Sequence, residues 1–523
     1  MPAFRFAPPY ELPQWPAAPT PETTQTHDVV IVGGGLAGLT LACDLAQRGV
    51  SAVLLDEDDT VGVRGASSRG ICYAQKSLEI FERLGIYERI REKGVSWSVG
   101  NTFSGHDKVW SFNLLASSVS AQPPFINIQQ FYVEWFLVDR TLELGHVELR
   151  WKHEVMSITP SDEDVQVDVR TPDGEYTLKA RWLIDATGVA SPIRKQLGVE
   201  SHYSTRSADR WCITDVRFKA PLPQERWTWI DAPFNEQRAV WQHPMADGVW
   251  RLDYQMGEDA RSEDMSKPEV ASTRLAAQLG ADIDLEFVWI GPYQYRDLLL
   301  DNFRHDRVLF IGDAAHVVSP FGARGGNTGI QDANNLGWKL AWVLKGWADE
   351  SLLDSFQDER HAAAAENLAV TRRTSRFLAP RSAAEHRLRR ALMSLAKQHA
   401  FARTMVNAGR MSVANDYPAA PALPQGGTTV QNVPLLHADG APTTVMQLLR
   451  EAGDRALCFS FGEAPDAPDD DTVMTLRVGA LADAGIDLVD VDGRLAAHLD
   501  VRGKNAVRVR PDAYRAGSLG NGA

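Results

Sequence analysis

The residues of this chain whose types and spacing most clearly suit ligand binding or chemistry lie in the segment 307–341. An apolar run (308–311) ends at Gly312 and Asp313, and a Pro- and Gly-rich turn (319–326) then leads into a helical pattern. A helix start reached through glycines exposes backbone N–H groups to electron-rich or negatively polarised ligands. The segment therefore predicts a strand, an acidic turn and a helix N-terminus that can bind an anionic group.

A second glycine-rich turn lies far upstream, where an apolar run (29–32) precedes a G-x-G-x-x-G pattern and a helix. The first glycine of this pattern allows a tight turn, and the second lets the backbone approach a pyrophosphate. The third lets the helix pack closely on the strand. The predicted cofactor contacts in this turn are Gly33, Gly35, Leu36, Ala37 and Gly38.

An acidic residue follows the next predicted strand (52–55). Asp56 stands about 20 residues beyond the glycines, where a carboxylate can hold a ribose hydroxyl, and Glu57 comes directly after it. The strand before the glycines, the helix after them and this acid occur together. We therefore predict a dinucleotide site.

Length and composition are typical of a large enzyme. The 523 residues are 44% hydrophobic with a net charge of −14, which disfavours nucleic acid and anionic membranes as partners. No apolar run reaches the roughly 18 residues of a membrane span, and the start lacks signal-peptide blocks. Four scattered cysteines without C-x-x-C predict a reduced, cytoplasmic setting, and no metal site is predicted.

Changes in composition along the chain predict several parts. These are a Pro-rich arm (1–26), a first nucleotide-binding part (27–200), a Trp- and Tyr-rich sheet domain (201–295), a second nucleotide-binding part with a helical segment (296–414), a linker (415–427) and a small α/β domain (428–523).

Four motifs together resemble the class A flavin monooxygenases, and most closely the phenol and 3-(3-hydroxyphenyl)propionate hydroxylases. The motifs are GGGLAG, SSRGICYAQKSLEIFERLG, QQFYVEWFLVDR and RVLFIGDAAHVVSPFGARGGN. The resemblance implies an α/β fold, in which a split Rossmann-type FAD-binding domain carries an inserted β-sheet substrate domain. It also implies a helical segment and a C-terminal thioredoxin-like domain, here without C-x-x-C, which covers the surface or mediates homodimerisation.

The resemblance also implies roles for individual residues. Arg69 would lie along the phosphate and ribityl region of FAD, Gln130 on the same hydroxyls, and Asp313 on the ribityl chain. Pro320 would lie over the flavin ring edge and is counted among the catalytic candidates. The donors to the pyrimidine end of the flavin would be the backbone N–H groups of Gly325 and Gly326 and the side-chain amide of Asn327. His316 is either a turn residue or a cofactor-side group.

One departure from the family pattern concerns the reductant. The family usually has an Asp-Gly pair after a strand, and here Thr187 stands in the place of the aspartate, before Gly188. Because that aspartate links FAD binding to NAD(P)H binding in the family, the preference between NADH and NADPH is open. FAD binding is not affected.

The resemblance implies hydroxylation of a phenolic or related aromatic substrate with NAD(P)H and O2, through a C4a-hydroperoxyflavin. A group near the phenol oxygen would assist attack by favouring the phenolate. Candidates from the aromatic-rich sheet are Asp215, His243, Arg251 and Tyr254, and each of them also fits a structural role.

Two alternatives to a hydroxylase remain. A flavin-dependent halogenase or another FAD oxidoreductase has the same fold, but the halogenase pattern W-x-W-x-I-P matches only at 227–229 and fails over the next three residues. A degenerate, non-catalytic flavoprotein would not need an intact GDAAH and GARGGN. The sequence therefore favours the hydroxylase.

Overall fold

The computed structural model describes residues 4–62, 70–114, 118–199, 201–206, 210–220, 222–257, 259–406, 411–424, 426–461, 470–481, 485–501 and 506–516. Among the helices in these ranges, none has the length and apolar character to cross a membrane. The same ranges contain no group of three or more His, Cys, Asp or Glu side chains that could hold a metal ion.

The elements up to residue 199 include both strands and helices. The strands are β1 (Gln25–Val32), β2 (Ala52–Asp56), β3 (Cys72–Ala74), β4 (Val95–Trp97), β5 (Val99–Ser104), β6 (Asp107–Asn113), β7 (Phe125–Asn127), β8 (Val147–Trp151), β9 (Glu154–Pro160), β10 (Val165–Thr171) and β11 (Gly174–Asp185). The helices are α1 (Leu36–Gln47), α2 (Gln75–Leu84), α3 (Tyr87–Lys93), α4 (Gln130–Leu144) and α5 (Pro192–Gln196).

The middle of the chain is mostly strand. Its strands are β12 (Ser201–Arg206), β13 (Arg210–Phe218), β14 (Arg226–Ala232), β15 (Arg238–Pro244), β16 (Val249–Met256), β17 (Leu285–Tyr293), β18 (Arg296–Leu300), β19 (Arg304–His305), β20 (Val308–Phe310) and β21 (His316–Val317). Helices α6 (Ser262–Met265) and α7 (Pro268–Leu279) and short 3-10 helices at Pro233–Asn235, Ala246–Gly248 and Gly312–Ala314 lie between them.

The last third begins with long helices and ends in a mixed sheet. The helices are α8 (Gly325–Leu344), α9 (Asp354–Leu378), α10 (Ala383–Ala396), α11 (Ala400–Met405), α12 (Val445–Ala452) and α13 (Arg494–His498), with a 3-10 helix at Glu350–Leu353. The strands are β22 (Thr428–Thr429), β23 (Pro434–His437), β24 (Pro442–Thr444), β25 (Ala456–Phe461), β26 (Val473–Gly479), β27 (Leu488–Val489), β28 (Ala506–Val509) and β29 (Tyr514–Ala516).

Both glycine-rich turns leave the same sheet. Its strand order is β19-β20-β11-β1-β2-β8, with β9 and β10 attached beside β11, and β1 pairs in parallel with both β2 and β11. Strand β20 pairs in parallel with β11. Because carboxyl ends of parallel strands meet at one edge, the turn after β1 and the turn after β20 lie on the same side of the sheet.

A seven-stranded sheet of order β17-β13-β16-β15-β14-β5-β6 forms the second layer. Strands β5 and β6 come from residues 99–113, which the sequence prediction assigned to the first nucleotide-binding part. Helix α7 covers one face of this sheet through Ala271 and Leu275. The division of the chain into domains stays a prediction, but the sheet itself draws strands from two separate segments.

The C-terminal sheet has the order β22-β29-β28-β25-β26-β27-β23-β24 and its own apolar core, which includes Phe459 and Leu449. It contacts the rest of the chain through polar groups. Asn432 donates to Gln122 over 2.8 Å, and Trp342 of α8 donates its indole N–H to the Asp454 carbonyl over 2.8 Å. This part of the chain is therefore anchored on α8, the helix that follows the second glycine-rich turn.

Candidate functional site

The three glycines of the turn before α1 have different steric surroundings. Gly33 has a φ of +109°, and a Cβ there would lie 2.6 Å from the Ala186 carbonyl oxygen. A Cβ on Gly38 would lie 2.0 Å from the Gly33 carbonyl oxygen, whereas a Cβ on Gly35 would meet nothing within 4 Å. The first and third glycines are required by packing, and the second leaves open space in front of the helix.

That open space adjoins the N-terminus of α1. Gly35 is the N-cap and makes no side-chain capping bond, and the first turn contains no acidic residue. Leu36 is buried and Ala37 is half-buried, so both support the turn from inside. Backbone N–H groups at this turn and the positive end of the helix dipole fit the diphosphate of a dinucleotide such as FAD.

Asp56 ends β2 beside this turn. One carboxylate oxygen accepts the Gly34 N–H, and the other accepts the Asp58 N–H over 2.8 Å. Burial raises the pKa of Asp56 to about 6. The carboxylate thus holds the glycine turn, and its remaining lone pairs can still accept a ribose hydroxyl. Glu57 is exposed next to it.

Gln130 begins α4 and bridges two backbone regions of the site. Its Oε1 accepts the Gly70 N–H over 2.9 Å, and its Nε2 donates to Glu134 over 2.7 Å. Burial raises the pKa of Glu134 to about 7, while backbone N–H groups that include that of Leu36 stabilise the carboxylate. Arg69, the predicted phosphate partner, lies outside the described residues.

The second glycine-rich turn presents its polar groups outward. After β20, the 3-10 helix Gly312–Ala314 leaves the Asp313 side chain exposed, and Pro320 is exposed as well. Helix α8 begins at Gly325 without a side-chain cap and without an acidic residue in its first turn. The N–H groups of its first turn are therefore available to an electron-rich ligand.

The two turns, far apart in sequence, meet in space. A Cβ added to Gly326 would lie 3.3 Å from Leu36 Cδ2, and one added to Gly312 would lie 2.9 Å from the Ala37 Cβ. Further along, a Cβ on Gly337 would lie 2.0 Å from Asp44 Oδ2. Glycines on α8 and its preceding turn thus allow α1 and α8 to pack closely, which places both helix N-termini at one site.

A buried ion-pair network supports the Asp313 turn from behind. Asp332 on α8 accepts the Gly312 N–H over 3.0 Å, and its other contacts are His316 Nε2 at 2.6 Å and Arg360 Nε at 2.7 Å. His316 is therefore a buried residue that supports the turn through Nε2, and the cofactor-side alternative for it stays a prediction. Burial acts to raise the pKa of Asp332, but His316 and Arg360 overcome this and hold it at about 2.

We expect this network to make stability sensitive to acid. Because the folded-state pKa of Asp332 is about 2 against an ordinary 3.8, its ionised form stabilises the fold by about 2 kcal/mol. That contribution is complete above pH 3.8 and is lost as pH falls through about 2. In urea titrations, Asp332→Asn should be less stable than wild type at pH 7, and the difference should shrink towards pH 2. Asp173→Asn, on an exposed turn, is the control and should match wild type at every pH.

A small aromatic cavity of about 20 Å³ lies between the seven-stranded sheet and the second glycine-rich turn. Trp211 and Trp241 stack in the adjoining wall with ring centroids 4.4 Å apart, and the Phe321 ring lies 5.1 Å from Trp241. The lining residues are Arg226, Thr228, Ile230, Trp241, Phe321, Gly322, Thr374, Phe377, Leu378, Val406 and Met411. The cavity is thus largely apolar and adjoins the segment between Pro320 and α8.

Comparison with known proteins identifies the family to which the chain belongs. Residues 26–371 match the protein family described as FAD binding domain. The chain belongs to this FAD-binding family. It is similar to rifampicin monooxygenase from Streptomyces venezuelae, with 32% identity over 349 residues, 66% of this chain and 70% of that protein.

Two further similarities extend over nearly the whole chain. The 12-dehydrotetracycline 5-monooxygenase/anhydrotetracycline 6-monooxygenase from Streptomyces rimosus is 29% identical over 500 residues, 93% of this chain and 94% of that protein. The structure of the flavin-dependent monooxygenase PieE, solved with FAD and substrate, shows the same fold. Its TM-score is 0.77 at 20% identity, covering 95% of this chain and 96% of that one. The chain is therefore a class A flavin monooxygenase, an FAD-dependent enzyme of the aromatic hydroxylase group, and the resemblance is confirmed.

In this flavin monooxygenase, the turn that carries Thr187 is organised by a different acid. Asp185 ends β11 and is fully buried; it accepts the Thr187 N–H over 2.9 Å and the Thr187 hydroxyl over 2.6 Å. It also accepts the Ser191 hydroxyl. Arg194 then donates to the Ala314 carbonyl over 2.9 Å, which ties this turn to the Asp313 turn. A carboxylate two residues earlier thus holds the turn in which the family aspartate is missing.

The side chain of Asn327 is bonded within the protein. Its Nδ2 donates to the Cys72 carbonyl over 2.9 Å and to the Ala323 carbonyl over 2.6 Å, and its Oδ1 accepts the Ala74 N–H and the Ser77 hydroxyl. Both ends of the amide are used in these bonds, and the predicted side-chain amide contact with the flavin stays a prediction. The residue fixes β3 and α2 against the start of α8, and its backbone N–H remains a candidate donor.

The polar candidates of the seven-stranded sheet form a buried row beside the cavity. Strand pairing aligns Asp215 with Arg251 and Arg251 with His243. Arg251 donates two hydrogen bonds to the Asp215 carboxylate, over 2.8 and 2.7 Å. Burial, together with the positive charges of Arg226 and Arg251, lowers the pKa of His243 well below its ordinary value. His243 is therefore neutral and a weak base at pH 7.

Tyr254 lies on the other face of this sheet. It points to the sheet face opposite Arg251, where its hydroxyl donates to Gln278 of α7 over 2.6 Å. Its ring belongs to the apolar cluster beneath that helix. Because α7 covers the face on which Tyr254 lies, this position favours the structural role, and a contact of Tyr254 with substrate stays a prediction.

A conservative substitution tests this placement. Tyr254→Phe removes only the hydrogen bond to Gln278, so we expect a stability loss of about 1 kcal/mol and an unchanged KM and kcat for substrate. Steady-state kinetics with the best substrate and a thermal melt measure the two effects. Trp241→Ala, which shortens a side chain of the cavity wall, is the comparison variant and should raise KM. A tenfold fall in kcat for Tyr254→Phe would contradict the assignment.

Sequence reasoning missed most of the cavity. Arg226, Thr228 and Ile230 alternate along β14 and line it together, and the only signal for this was the strand-like alternation of that segment. Phe377 and Met411 reach the cavity from the helical part of the chain, and no local pattern connects them with the sheet.

Proposed function

We propose that this flavin monooxygenase hydroxylates a phenolic or related aromatic ring, with FAD as cofactor and NAD(P)H and O2 as co-substrates. The observation that carries the proposal is the position of the aromatic cavity against Phe321 and Gly322. These residues directly follow Pro320 and shortly precede α8. Nearly full-length similarity to a relative named for anhydrotetracycline supports a fused-ring aromatic substrate.

The cofactor and the chain contribute different parts of the chemistry. When bound, FAD would supply the electrons taken from NAD(P)H and the activated oxygen that hydroxylation of an electron-rich ring requires. The N-terminus of α8 stabilises negative charge at the pyrimidine end of the flavin with its backbone N–H groups and dipole. Trp241 and Phe321 hold the aromatic substrate and exclude water from the cavity.

Turnover assays test this function. The purified protein is loaded with FAD and mixed with NADH or NADPH and a panel of single-ring and fused-ring phenols under isotopically labelled O2. We expect nucleotide oxidation to rise with substrate and the product to gain one labelled oxygen atom. The same assay shows whether the enzyme, which has Thr187 in place of the family aspartate, uses NADH or NADPH.

Other outcomes identify the alternatives. A protein that does not bind FAD would be a degenerate member of the family, and a chlorinated product in the presence of chloride would indicate a halogenase. Nucleotide oxidation that yields only hydrogen peroxide with every phenol would contradict the aromatic substrate class.

The setting and assembly of the enzyme remain part of the proposal. All four cysteines, at positions 43, 72, 212 and 458, are free thiols, which supports a reducing, cytoplasmic setting. Homodimerisation through the C-terminal part stays a prediction, which light scattering of the purified protein would test.

A further inference from the structure

The N-terminal part of the chain joins the two large sheets. Residues 4–20 form an arm, which pairs with other strands only through isolated bridges among the described residues. At one end of the arm, Ala7 donates its N–H to the Phe287 carbonyl of β17 over 2.7 Å, and the Phe287 N–H donates to the Arg5 carbonyl over 2.9 Å. Because β17 is an edge strand of the seven-stranded sheet, the arm begins on that sheet.

Further along, the arm lies against the FAD-binding part of the chain. Trp15 donates its N–H to the Asp59 carbonyl over 2.9 Å, and the Thr60 hydroxyl donates to the Pro13 carbonyl over 2.5 Å. Asp59 and Thr60 shortly follow Asp56, whose carboxylate holds the first glycine turn. The arm therefore binds the chain just beyond the acid that is predicted to hold the FAD ribose.

The indole of Trp15 supports the same turn from outside. It stacks on Trp151, the last residue of β8, with ring centroids 4.9 Å apart and an angle of 14° between the planes. Trp151 is only 3% exposed, and a Cβ added to Gly34 would lie 3.2 Å from its Cζ3. The Ala18 N–H also donates to the Trp151 carbonyl over 3.3 Å. Trp151 is thus enclosed between the arm and the glycine turn.

Tyr10 connects the arm with α4. Its ring centroid lies 4.7 Å from that of Phe131, and its hydroxyl accepts a hydrogen bond from Gln129 Nε2 over 2.8 Å. Phe131 in turn contacts the chain after Asp56, because a Cβ added to Gly62 would lie 2.8 Å from the Phe131 Cβ. Segment 57–62 is therefore held between the arm and α4.

The arm contacts three elements that surround the first glycine turn, so it can act on the cofactor by holding these elements. A surface segment that loses its contacts samples more conformations, and apparent affinity falls with the fraction of molecules in the binding-competent arrangement. We propose that the arm is a strap that keeps segment 57–62 and Trp151 in the FAD-binding arrangement, and that Trp15 is a positioning residue for FAD. The inference needs only FAD binding, which the family establishes, and goes beyond the proposed hydroxylation.

Substitutions of Trp15 in the full chain test the strap through flavin fluorescence during titration of the apoprotein. Loss of the aromatic stack in Trp15→Ala should raise the FAD dissociation constant about tenfold. Trp15→Phe keeps a stacking ring and should restore most of the affinity. Trp347→Ala is the matched control, because Trp347 is 38% exposed and contacts Trp342 near the end of α8 that is distant from the site. It should bind FAD as wild type does.

Limited proteolysis of wild type gives a second measurement that needs no variant. Coupling between two equilibria is reciprocal, so bound FAD should slow chymotrypsin cleavage after Tyr10 by about tenfold, measured by mass spectrometry of the released peptide. The inference is wrong if FAD leaves this cleavage unchanged, or if Trp15→Ala binds FAD as wild type does. An equal loss of affinity in Trp347→Ala would indicate general destabilisation and would also overturn it. An enzyme that shows the coupling but hydroxylates no phenol would leave this inference standing while the proposed function fails.

Discussion

Replacing Gly35 by alanine is expected to weaken FAD binding by about 100-fold while the apoprotein keeps its fold. A Cβ at this position meets no protein atom within 4 Å, and the backbone conformation is extended, so alanine fits the empty turn. The added methyl group would occupy the space through which the diphosphate reaches the N–H groups of α1. Loss of one or two charge-assisted hydrogen bonds costs about 3 kcal/mol, which corresponds to about 100-fold in affinity.

The measurement is flavin fluorescence during titration of the apoprotein, with thermal melting of the same sample. The apoprotein should change by less than about 1 kcal/mol, because the weaker helix cap is offset by a less flexible unfolded chain. Gly38→Ala is the matched comparison, since its Cβ would lie 2.0 Å from a backbone oxygen. It should lose about 1–3 kcal/mol of stability as well as FAD. Equal FAD affinity in wild type and Gly35→Ala would contradict a diphosphate at this turn.

The second large effect is expected for Glu359→Ala, which should lower the free energy of unfolding by about 3–5 kcal/mol. Glu359 of α9 is fully buried and binds Lys339 of α8 at 2.7 Å and Arg510, which directly follows β28, through contacts of 2.6 and 3.0 Å. Burial acts to raise the pKa of Glu359, but Lys339 and Arg510 reverse this and hold it at about 2. Removing the carboxylate leaves two buried cations with Asp512 as their remaining acid.

Urea unfolding at neutral pH measures this loss. Glu350→Ala is the matched control, because Glu350 pairs with Arg307 at 2.9 Å but its side chain is 40% exposed. Its removal should cost no more than about 1 kcal/mol. Since Arg510 directly follows a strand of the C-terminal sheet, Glu359→Ala should also expose that part of the chain to proteases. Equal losses for the two variants would show that the buried cluster does not hold the C-terminal sheet on α8 and α9.

The local part of the site could be predicted from sequence. The strand predicted at 29–32 lies inside β1. The helix predicted at 129–144 is α4, and the strand predicted at 308–311 contains β20. These elements follow from apolar runs and glycine positions, which act within a few residues. Gly33 and Gly38 are required for the reasons that the motif implies, because their backbones contact neighbouring chain.

The side-chain placements that the sequence did not show share one physical cause. Alternation along β16 shows that Tyr254 and Arg251 point to opposite faces, but it does not show which face α7 covers. In the same way, a histidine after a turn can point to a ligand or into the protein. His316 points into the protein because its Nε2 contacts Asp332 of α8. The sequence showed Asn327 at a helix start, whereas its partners come from residues about 250 positions away.

The sequence by itself therefore determined the cofactor and its two binding turns, because each turn depends on backbone conformation and on glycines that are adjacent in the chain. Only the tertiary structure decided how those turns meet, since the contact of Gly326 with Leu36 requires α1 and α8 to pack side by side. It also decided the cavity that we propose for substrate, whose wall combines Arg226 of a sheet with Phe377 of a helix. Side chains from distant segments become neighbours only when the core is packed, and no local pattern contains that information.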